Sequence, residues 1–553
     1  MTAVPELAPG TELTSRRPVT REDVAAVARI TGDEGMHHVS GLAGRQVAQG
    51  LLTVAFAPLL KTEAGFRLAA AEVTFLAPVF VDDTVVCTVT VESRDGAKVG
   101  FALRIANQDG TEVATGRGTG TLTDPAPAAP EPPRAAVPGV GPAAGAPPRL
   151  LTAEVLADPY PTYAELRRTR PVHWSDELHG WVVTGYDDVY GALRDHGRFS
   201  SDRIDRLLGS RVPEEALPII APFVALASRW MWMVDPPDHT RVRRTFNHGF
   251  TPRAVRRLRP LIEETVGHLL DAVAERGSMD LVADFAFPLP ATVLADVYGI
   301  PRADAPLLKE WSDAMKVFIG GTPDLAAMAG PAADSMREMM AYFTAVIAER
   351  RRTPGDDLVS ALVHADEAEP LDPDSLCANL VLVLAASYAT TQDMIGNGML
   401  ALLRQRAEWH RLQADPALLP GAIDEVLRYD GPVQLTHRVA TEDIDLQGTR
   451  IRQGDLVYLF RAAANRDPRR FPHPDRIDVG RRDTGHVAFG AGIHYCIGAA
   501  LARVEGVATL AALLRRMPAI ELDPDAPAAY RADSLQFRGV RTLPVVFPTA
   551  GAG

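Results

Sequence analysis

Between residues 125 and 148, nine of 24 positions are proline, eight are alanine and three are glycine. Each proline fixes φ and removes a backbone donor, so this stretch supports neither a helix interior nor a strand ladder. It reads as a Pro/Ala-rich linker favouring extended conformers, with an upper reach of about 75 Å at ~3.1 Å per residue. The chain is thereby divided into a first part, 1–124, and a second, 149–553, each of which must build its own core. With 553 residues, 46% of them hydrophobic and 23% charged, the composition is that of ordinary globular domains.

The second part carries most of the chemistry. Phe489-Gly490-Ala491-Gly492-Ile493-His494-Tyr495-Cys496-Ile497-Gly498 reads F-G-x-G-x-H-x-C-x-G, with glycines that allow a tight loop whose N–H groups can point at a sulfur. Upstream, Asp235-Pro236-Pro237-Asp238-His239-Thr240-Arg241-Val242-Arg243-Arg244 opens a helix, with prolines and acids at its start. His239 and Arg243 are four apart and share one helix face, about 6 Å apart along the axis, an arrangement suited to a pair of carboxylates. Glu425 and Arg428 form an E-x-x-R at helical spacing, followed by Asn465-Arg466-Asp467-Pro468, Phe471 and Pro474-Asp475-Arg476. A long helix is expected over roughly Ser375 to Arg404, its apolar run too short and too polar at its flanks to cross a bilayer.

Together these strings resemble the cytochrome P-450 haem-thiolate monooxygenases, over essentially all of 150–548. The resemblance extends to Asp158-Pro159-Tyr160-Pro161, Gly180-Trp181-Val182-Val183-Thr184 and Phe199-Ser200-Ser201. It implies a mostly α fold with small β-sheets and a haem b cofactor whose iron takes the Cys496 thiolate as axial ligand. It places His239, Arg243, Arg438 and His494 on the haem propionates, and makes Glu425, Arg428 and Arg476 a buried charged triad. The long helix would pass over the haem, where the family usually reads A-G-x-(D/E)-T-T. This chain has Ser387 for the glycine and Ala389 for the acid, but keeps Thr390, the expected catalytic threonine. Protons would then come by way of Tyr388, Asp393, a substrate group or ordered water. Pocket walls are expected near Ser228–Trp232, Ser387–Thr391 and Val433–Thr436. No flavin or iron–sulfur segment is visible, so electrons would come from an external ferredoxin and ferredoxin reductase. Arg469, Arg470, Arg481 and Arg482 offer a basic docking face for an acidic ferredoxin.

The first part reads as helices, Glu22 to Ile30 and Gln46 to Leu60, then strands at Arg67–Phe75, Thr84–Ser93, Lys98–Asn107 and Glu112–Thr123, an α+β pattern. Ile30-Thr31-Gly32-Asp33-Glu34-Gly35-Met36-His37-His38-Val39-Ser40 resembles the signature of MaoC-like hot-dog enoyl-thioester hydratases, G-D-x-N-P-(aliphatic)-H-x-(D/S). Gly44–Leu52 resembles that family's central helix and Ala77–Thr84 its strand entry. The resemblance implies a hot-dog domain with Asp33 and His38 as an acid/base pair for hydration or dehydration of enoyl thioesters. Gly35, Met36 and His37 depart from the signature, which leaves open a degenerate domain that serves as dimeriser or acyl-binding scaffold. Either form implies a homodimer through the sheet.

The net charge of −13 argues against nucleic acid as a partner. Three cysteines, Cys87, Cys377 and Cys496, make no disulfide framework, and the first ten residues hold no apolar run, so a cytoplasmic, non-membrane protein is expected. Ala, Arg, Gly and Pro usage suits a GC-rich bacterium. The function expected is monooxygenation of an organic substrate, an acyl chain or secondary-metabolite scaffold. The alternative is a haem protein without turnover, given Ala389, joined to a degenerate hot-dog scaffold.

Overall fold

Alternation along Thr84-Val85-Val86-Cys87-Thr88-Val89-Thr90-Val91 sends Val85, Cys87, Val89 and Val91 to one face of a strand, and all four are buried. The computed structural model describes residues 9–19, 66–77, 79–81, 83–95, 98–122, 147–204, 216–319, 325–365 and 370–549. It divides into two units, Met1–Pro138 and Gly139–Gly553. The first contains β1 (Glu12–Pro18), β2 (Phe66–Phe75), β3 (Thr84–Asp95), β4 (Lys98–Ala106) and β5 (Glu112–Leu122) in one antiparallel sheet of order β1-β3-β4-β5-β2. Buried cross-strand pairs Cys87 with Ile105, Val89 with Leu103 and Val91 with Phe101 fix the β3–β4 register. β2 to β5 fall where the sequence places them, within two residues at each end; β1 was not foreseen. Asp33, His38, the two expected helices and most of the linker lie outside the described residues.

In the second unit the helices that position the site are α1 (Asp238–Asn247), α2 (Pro252–Asp271), α3 (Pro288–Tyr298), α4 (Ala305–Ile319), α5 (Leu325–Arg352), α6 (Pro373–Arg404), α7 (Leu419–Asp430) and α8 (Ala499–Arg516). α6 starts where Asp372 caps it, its side chain accepting from Ser375 N at 3.0 Å, with Pro373 in the first turn. Its first half lies in a core shared with α3, α4 and α5; its second half lies in another shared with α2, α7 and α8. By length and composition α6 could cross a bilayer, contrary to the expectation above, yet 72% of its most apolar window is buried inside the protein. Gly398 lets α6 meet α7 closely, since a Cβ there would stand 2.7 Å from Val426 Cγ1. A five-stranded sheet, in spatial order Val172–Ser175, Gly180–Val183, Leu456–Leu459, Thr436–Ala440 and Phe199–Ser200, flanks the helices.

α7 carries the internal anchor. Arg428 Nε and Nη2 bond both oxygens of Glu425 at 2.7 and 2.8 Å, and its other N–H groups reach the carbonyls of Asn465, Pro474 and Arg476 at 2.9 to 3.0 Å. Glu425 also accepts from Asp478 N at 2.8 Å and from Arg481 Nε at 2.9 Å. The third charged member is therefore Arg481, not Arg476: Arg476 gives only its carbonyl oxygen, and its side chain stands in solvent. Next to it, Arg466 lies between the rings of Tyr160 and Tyr429, 3.4 and 4.0 Å from their centroids.

With both Glu425 and Arg428 no more than 2% exposed, removing one leaves a buried charge unpaired. Arg428→Ala should destabilise the second unit by about 3–5 kcal/mol, read as a lower denaturant midpoint. The double change Glu425→Leu/Arg428→Leu should cost less than the sum of the single changes.

Candidate active site

The Cys loop is built by backbone geometry. Gly490 and Gly492 sit at φ +76° and +70°, in the left-handed region that disfavours side chains. A Cβ on Gly492 would meet Leu193 O at 2.7 Å and Arg194 Cα at 3.0 Å, so only glycine fits this turn. Cys496 N donates to Phe489 O at 2.9 Å, and α8 leaves the loop three residues later. The Cys496 side chain is enclosed by protein yet has accessible surface, because it opens onto the main cavity rather than bulk solvent. Burial pushes its thiol up; the Gly498 N–H and Arg243, Arg461 and Arg503 pull the other way, favouring the thiolate.

One wall of this cavity is cationic. His239 and Arg243 project from α1, with His494 beside them, its ring 4.3 Å from that of His239. Arg461 completes the wall. Arg438 does not line the cavity; it is buried behind it, Nη1 donating to His437 O at 2.7 Å. Arg203 and Arg461 were not singled out in the sequence. Arg203 is held by the carbonyls of Ser201 and Trp232, both at 2.6 Å. Neither follows from helical spacing: Arg203 lies in the irregular stretch after Phe199–Ser200, behind the cavity, and Arg461 opens the short helix Arg461–Ala464. None of Arg203, Arg243, Arg438 and Arg461 forms an ion pair among the described residues. Burial pushes Arg203 down to about 9 and Arg438 and Arg461 down to about 10. Burial, then Arg243, pushes His239 down to about 4, and burial with Arg438 pushes His494 far below its usual value. Both are neutral at pH 7 (His494 Nε2 lies 2.9 Å from Ser201 Oγ). Both ring nitrogens of His239 and the Nε atoms of Arg203 and Arg461 are buried without a hydrogen-bond partner. Such a set of donors accommodates a buried dianion against an apolar slot that ends in a sulfur.

The rest of the lining is mostly apolar. Met231, Leu294, Met315, Ile319, Val433 and Phe537 form much of it, and the cavity encloses about 1620 Å³ between its walls, part of it open to solvent. The three expected wall segments contribute Trp230–Trp232, Ser387 with Ala389–Thr391, and Val433. Thr390 is on the wall, but its Oγ1 donates to Ala386 O at 2.6 Å within α6. Tyr388 does not line the cavity: its ring packs edge-on against Phe287, and its hydroxyl lies 3.5 Å from Gln392 Oε1. Asp393 does not line it either, being fully buried against Arg531. Of the arginines expected to form a docking face, Arg469 pairs with Asp467, Arg470 with Asp483 and Arg481 with Glu425, so the chain's own acids neutralise three of the four.

Comparison with known proteins matches residues 179–524 to the cytochrome P450 family model. The chain is 36% identical over 398 residues to a biotin biosynthesis cytochrome P450 of Bacillus subtilis, covering 72% of this chain and 98% of that protein. It is 40% identical over 403 residues to the cytochrome P450 monooxygenase PikC of Streptomyces venezuelae, covering 71% and 92%. Among solved structures it is similar to P450BioI in complex with hexadec-9Z-enoic acid ligated acyl carrier protein. That match has a TM-score of 0.66 and 36% identity over 71% of this chain and 100% of the other. It is also similar to a myxobacterial CYP267B1 in complex with myristic acid, with a TM-score of 0.65 and 38% identity over 73% and 100%.

Burial pushes the Cys377 thiol up to about 11 and the Cys87 thiol up to about 12, whereas Cys496 faces the cavity. In protein stripped of any bound group, iodoacetamide at neutral pH should alkylate Cys496 and spare the other two until the chain is unfolded. Peptide mass spectrometry reads the outcome.

Proposed function

The chain belongs to the cytochrome P450 family, and on that premise we propose that this monooxygenase oxidises a long, mainly apolar acyl or polyketide-like chain. The observation that carries the substrate class is the largely apolar lining of the cavity that Cys496 shares, whose polar members away from the cationic wall are the hydroxyls of Ser312, Ser387, Thr390 and Thr391 and the one acid Glu505. Relatives whose printed names concern biotin biosynthesis and a fatty-acyl carrier protein support that class.

Family membership brings haem with a cysteine thiolate on its iron. The residues present fit that group: the orphaned donors of His239, Arg203 and Arg461 suit two propionates. Cys496 would ligate the iron, and Arg243, Arg461, His239 and His494 would hold the propionates, with Arg438 and Arg203 behind them. When bound, haem supplies reductive activation of dioxygen and insertion of one oxygen atom into a C–H bond. The chain's own residues do the rest. Gly498 N–H and three arginines temper the sulfur charge. Neutral His239 would donate a hydrogen bond to a propionate without adding a further positive charge. Met231, Met315 and Phe537 keep the substrate side dry. Thr390, its proton given to Ala386 O, turns its lone pairs to the cavity and acts as an acceptor. Electrons come from a separate ferredoxin and its reductase.

For the first unit the reading is a thioester-handling module of the hot-dog kind, favoured by its antiparallel sheet and buried strand face. Asp33 and His38 would be its acid/base pair, and the sheet its dimer contact. If so, the full chain hydrates an enoyl thioester, and Asp33→Ala lowers that rate by about 10²–10⁴-fold. A dimeric protein with no hydration at any chain length would leave the scaffold role instead.

The reduced carbon monoxide complex tests the ligand. Cys377→Ser should keep the absorption of thiolate-ligated haem, and Cys496→Ser should lose it. Myristic acid, free and as its carrier-protein thioester, should shift the haem spin state in a saturable titration. A response only to polar sugars or amino acids would overturn the substrate class.

A further inference from the structure

Four serine and threonine hydroxyls line the cavity: Ser312 on α4, and Ser387, Thr390 and Thr391 on α6. Three of them are bonded to neighbours. Ser312 Oγ donates to Leu308 O at 2.7 Å and Thr390 Oγ1 to Ala386 O at 2.6 Å, each four residues back on its own helix. Thr391 Oγ1 donates to Glu505 Oε2 at 3.5 Å. The Ser387 hydroxyl makes no hydrogen bond among the described residues. The backward bond that Ser312 and Thr390 use is open to it as well, at Val383 O, and is not taken. On a helix of 3.6 residues per turn, Val383, Ser387, Thr390 and Met394 fall within one stripe about 60° wide, and all four line the cavity. Ala386, exposed to the cavity beside Ser387, has no polar atom on its side chain to reach the hydroxyl. One donor and two lone pairs are therefore left to be satisfied from the cavity itself. A wholly apolar ligand filling that space would strand them, at a cost.

We infer that Ser387 reads an oxygen atom already present on the substrate, a hydroxyl or keto group on the acyl or polyketide-like chain, and so fixes the register of that chain in the cavity. The inference rests on the substrate class proposed above and narrows it. Either kind of oxygen accepts from Ser387 Oγ–H, and a substrate hydroxyl can also donate to it. An unsubstituted chain that displaces cavity water leaves the serine unpaired, whereas an oxygenated chain pairs it. Ser387 lies about 4.5 Å along α6 from Thr390, three residues at ~1.5 Å each. The oxygen it holds is therefore close to the reacting centre, and the carbon oxidised lies only a few bonds from it. The reaction class that must supply this substrate is one that has already oxygenated the chain, such as hydration of an alkene.

The test uses the full-length haem-loaded protein and reads dissociation constants from the substrate-induced spin-state change, for which no electron donor is needed. The probes are myristic acid and a positional series of its monohydroxy and monoketo derivatives. In wild type, the derivatives oxygenated at one position should bind on the order of 10-fold tighter than myristic acid, the net value of one hydrogen bond. The hydroxy and keto members at that position should both show the preference. Ser387→Ala removes only the hydroxyl and favours the helix. In it the ratio of the two dissociation constants should fall to about one. Should Ser387→Ala fail to load haem, Ser387→Gly removes the same hydroxyl and carries the comparison. With a ferredoxin and its reductase added, fragment mass spectra should place the new oxygen at one main position of the preferred probe in wild type and scatter it in Ser387→Ala. No preference for any oxygenated derivative in wild type, or an undiminished preference in Ser387→Ala, overturns the assignment and leaves the hydroxyl a holder of water. If neither myristic acid nor any derivative shifts the spin state, the acyl reading fails and the assignment with it. If myristic acid binds and only the preference or its loss in Ser387→Ala is missing, the acyl reading stands and the assignment alone falls.

Discussion

The second unit hangs on the Glu425–Arg428 pair. All five N–H donors of Arg428 are used, and Glu425 accepts four hydrogen bonds, so neither charge is left to pay for its desolvation unaided. The pair's reach explains its importance. Arg428 binds the Asn465 carbonyl, and Asn465 Oδ1 accepts from Val487 N at 2.7 Å, just before the Cys loop. Cys496 N in turn closes on Phe489 O. A side-chain lock on α7 is thus carried through three short steps to the position of the sulfur. Loops of this irregularity have no ladder to hold them, and only such fixed acceptors and donors make their geometry single-valued.

A second constraint works against the first. Arg203, Arg438 and Arg461 are buried with depressed pKa values, and His239 has no hydrogen-bond partner. Asp235 offsets Arg203 and Arg438 only in part, and desolvated cations left without an ion-pair partner destabilise a fold. Their placement makes sense when a bound dianion offsets them: the charge that costs stability alone becomes binding energy in the complex. The wall also acts at the other end of the group, since Arg243 and Arg461 favour the thiolate form of Cys496. Anion binding and sulfur ionisation therefore draw on the same arginines.

What could be read from sequence was local or periodic. The strands of the first unit announced themselves by alternation, α6 by its long apolar run, and the loop by Gly490, Gly492 and Cys496. His239 and Arg243 were legible because helical spacing puts them on one face. Arg203 and Arg461 were not, since they come to the wall and to the layer behind it from segments far apart in the chain. The exchange of Arg476 for Arg481 has the same cause: both lie in an irregular stretch, where spacing says nothing about direction. The helical face of Tyr388 and Asp393 was misjudged, because α6 is buried on nearly all sides and its polarity pattern does not mark the cavity.

α6 carries small side chains where a glycine and an acid were expected. With Ser387 in place of glycine and Ala389 in place of an acid, it runs unbroken for 32 residues and presents small side chains to the cavity. Its remaining hydroxyls have different partners. Thr390 bonds backward to the Ala386 carbonyl, a choice open to any threonine in a helix, and so offers only lone pairs forward. Thr391, one residue on, is turned about 100° around the axis, at 3.6 residues per turn, and meets α8 instead. That rotation brings its hydroxyl to Glu505, whose carboxyl lies in a desolvated setting that keeps it protonated. An acid at position 389 would sit on α6 itself; an acid on α8 is tied to the helix that begins at the Cys loop.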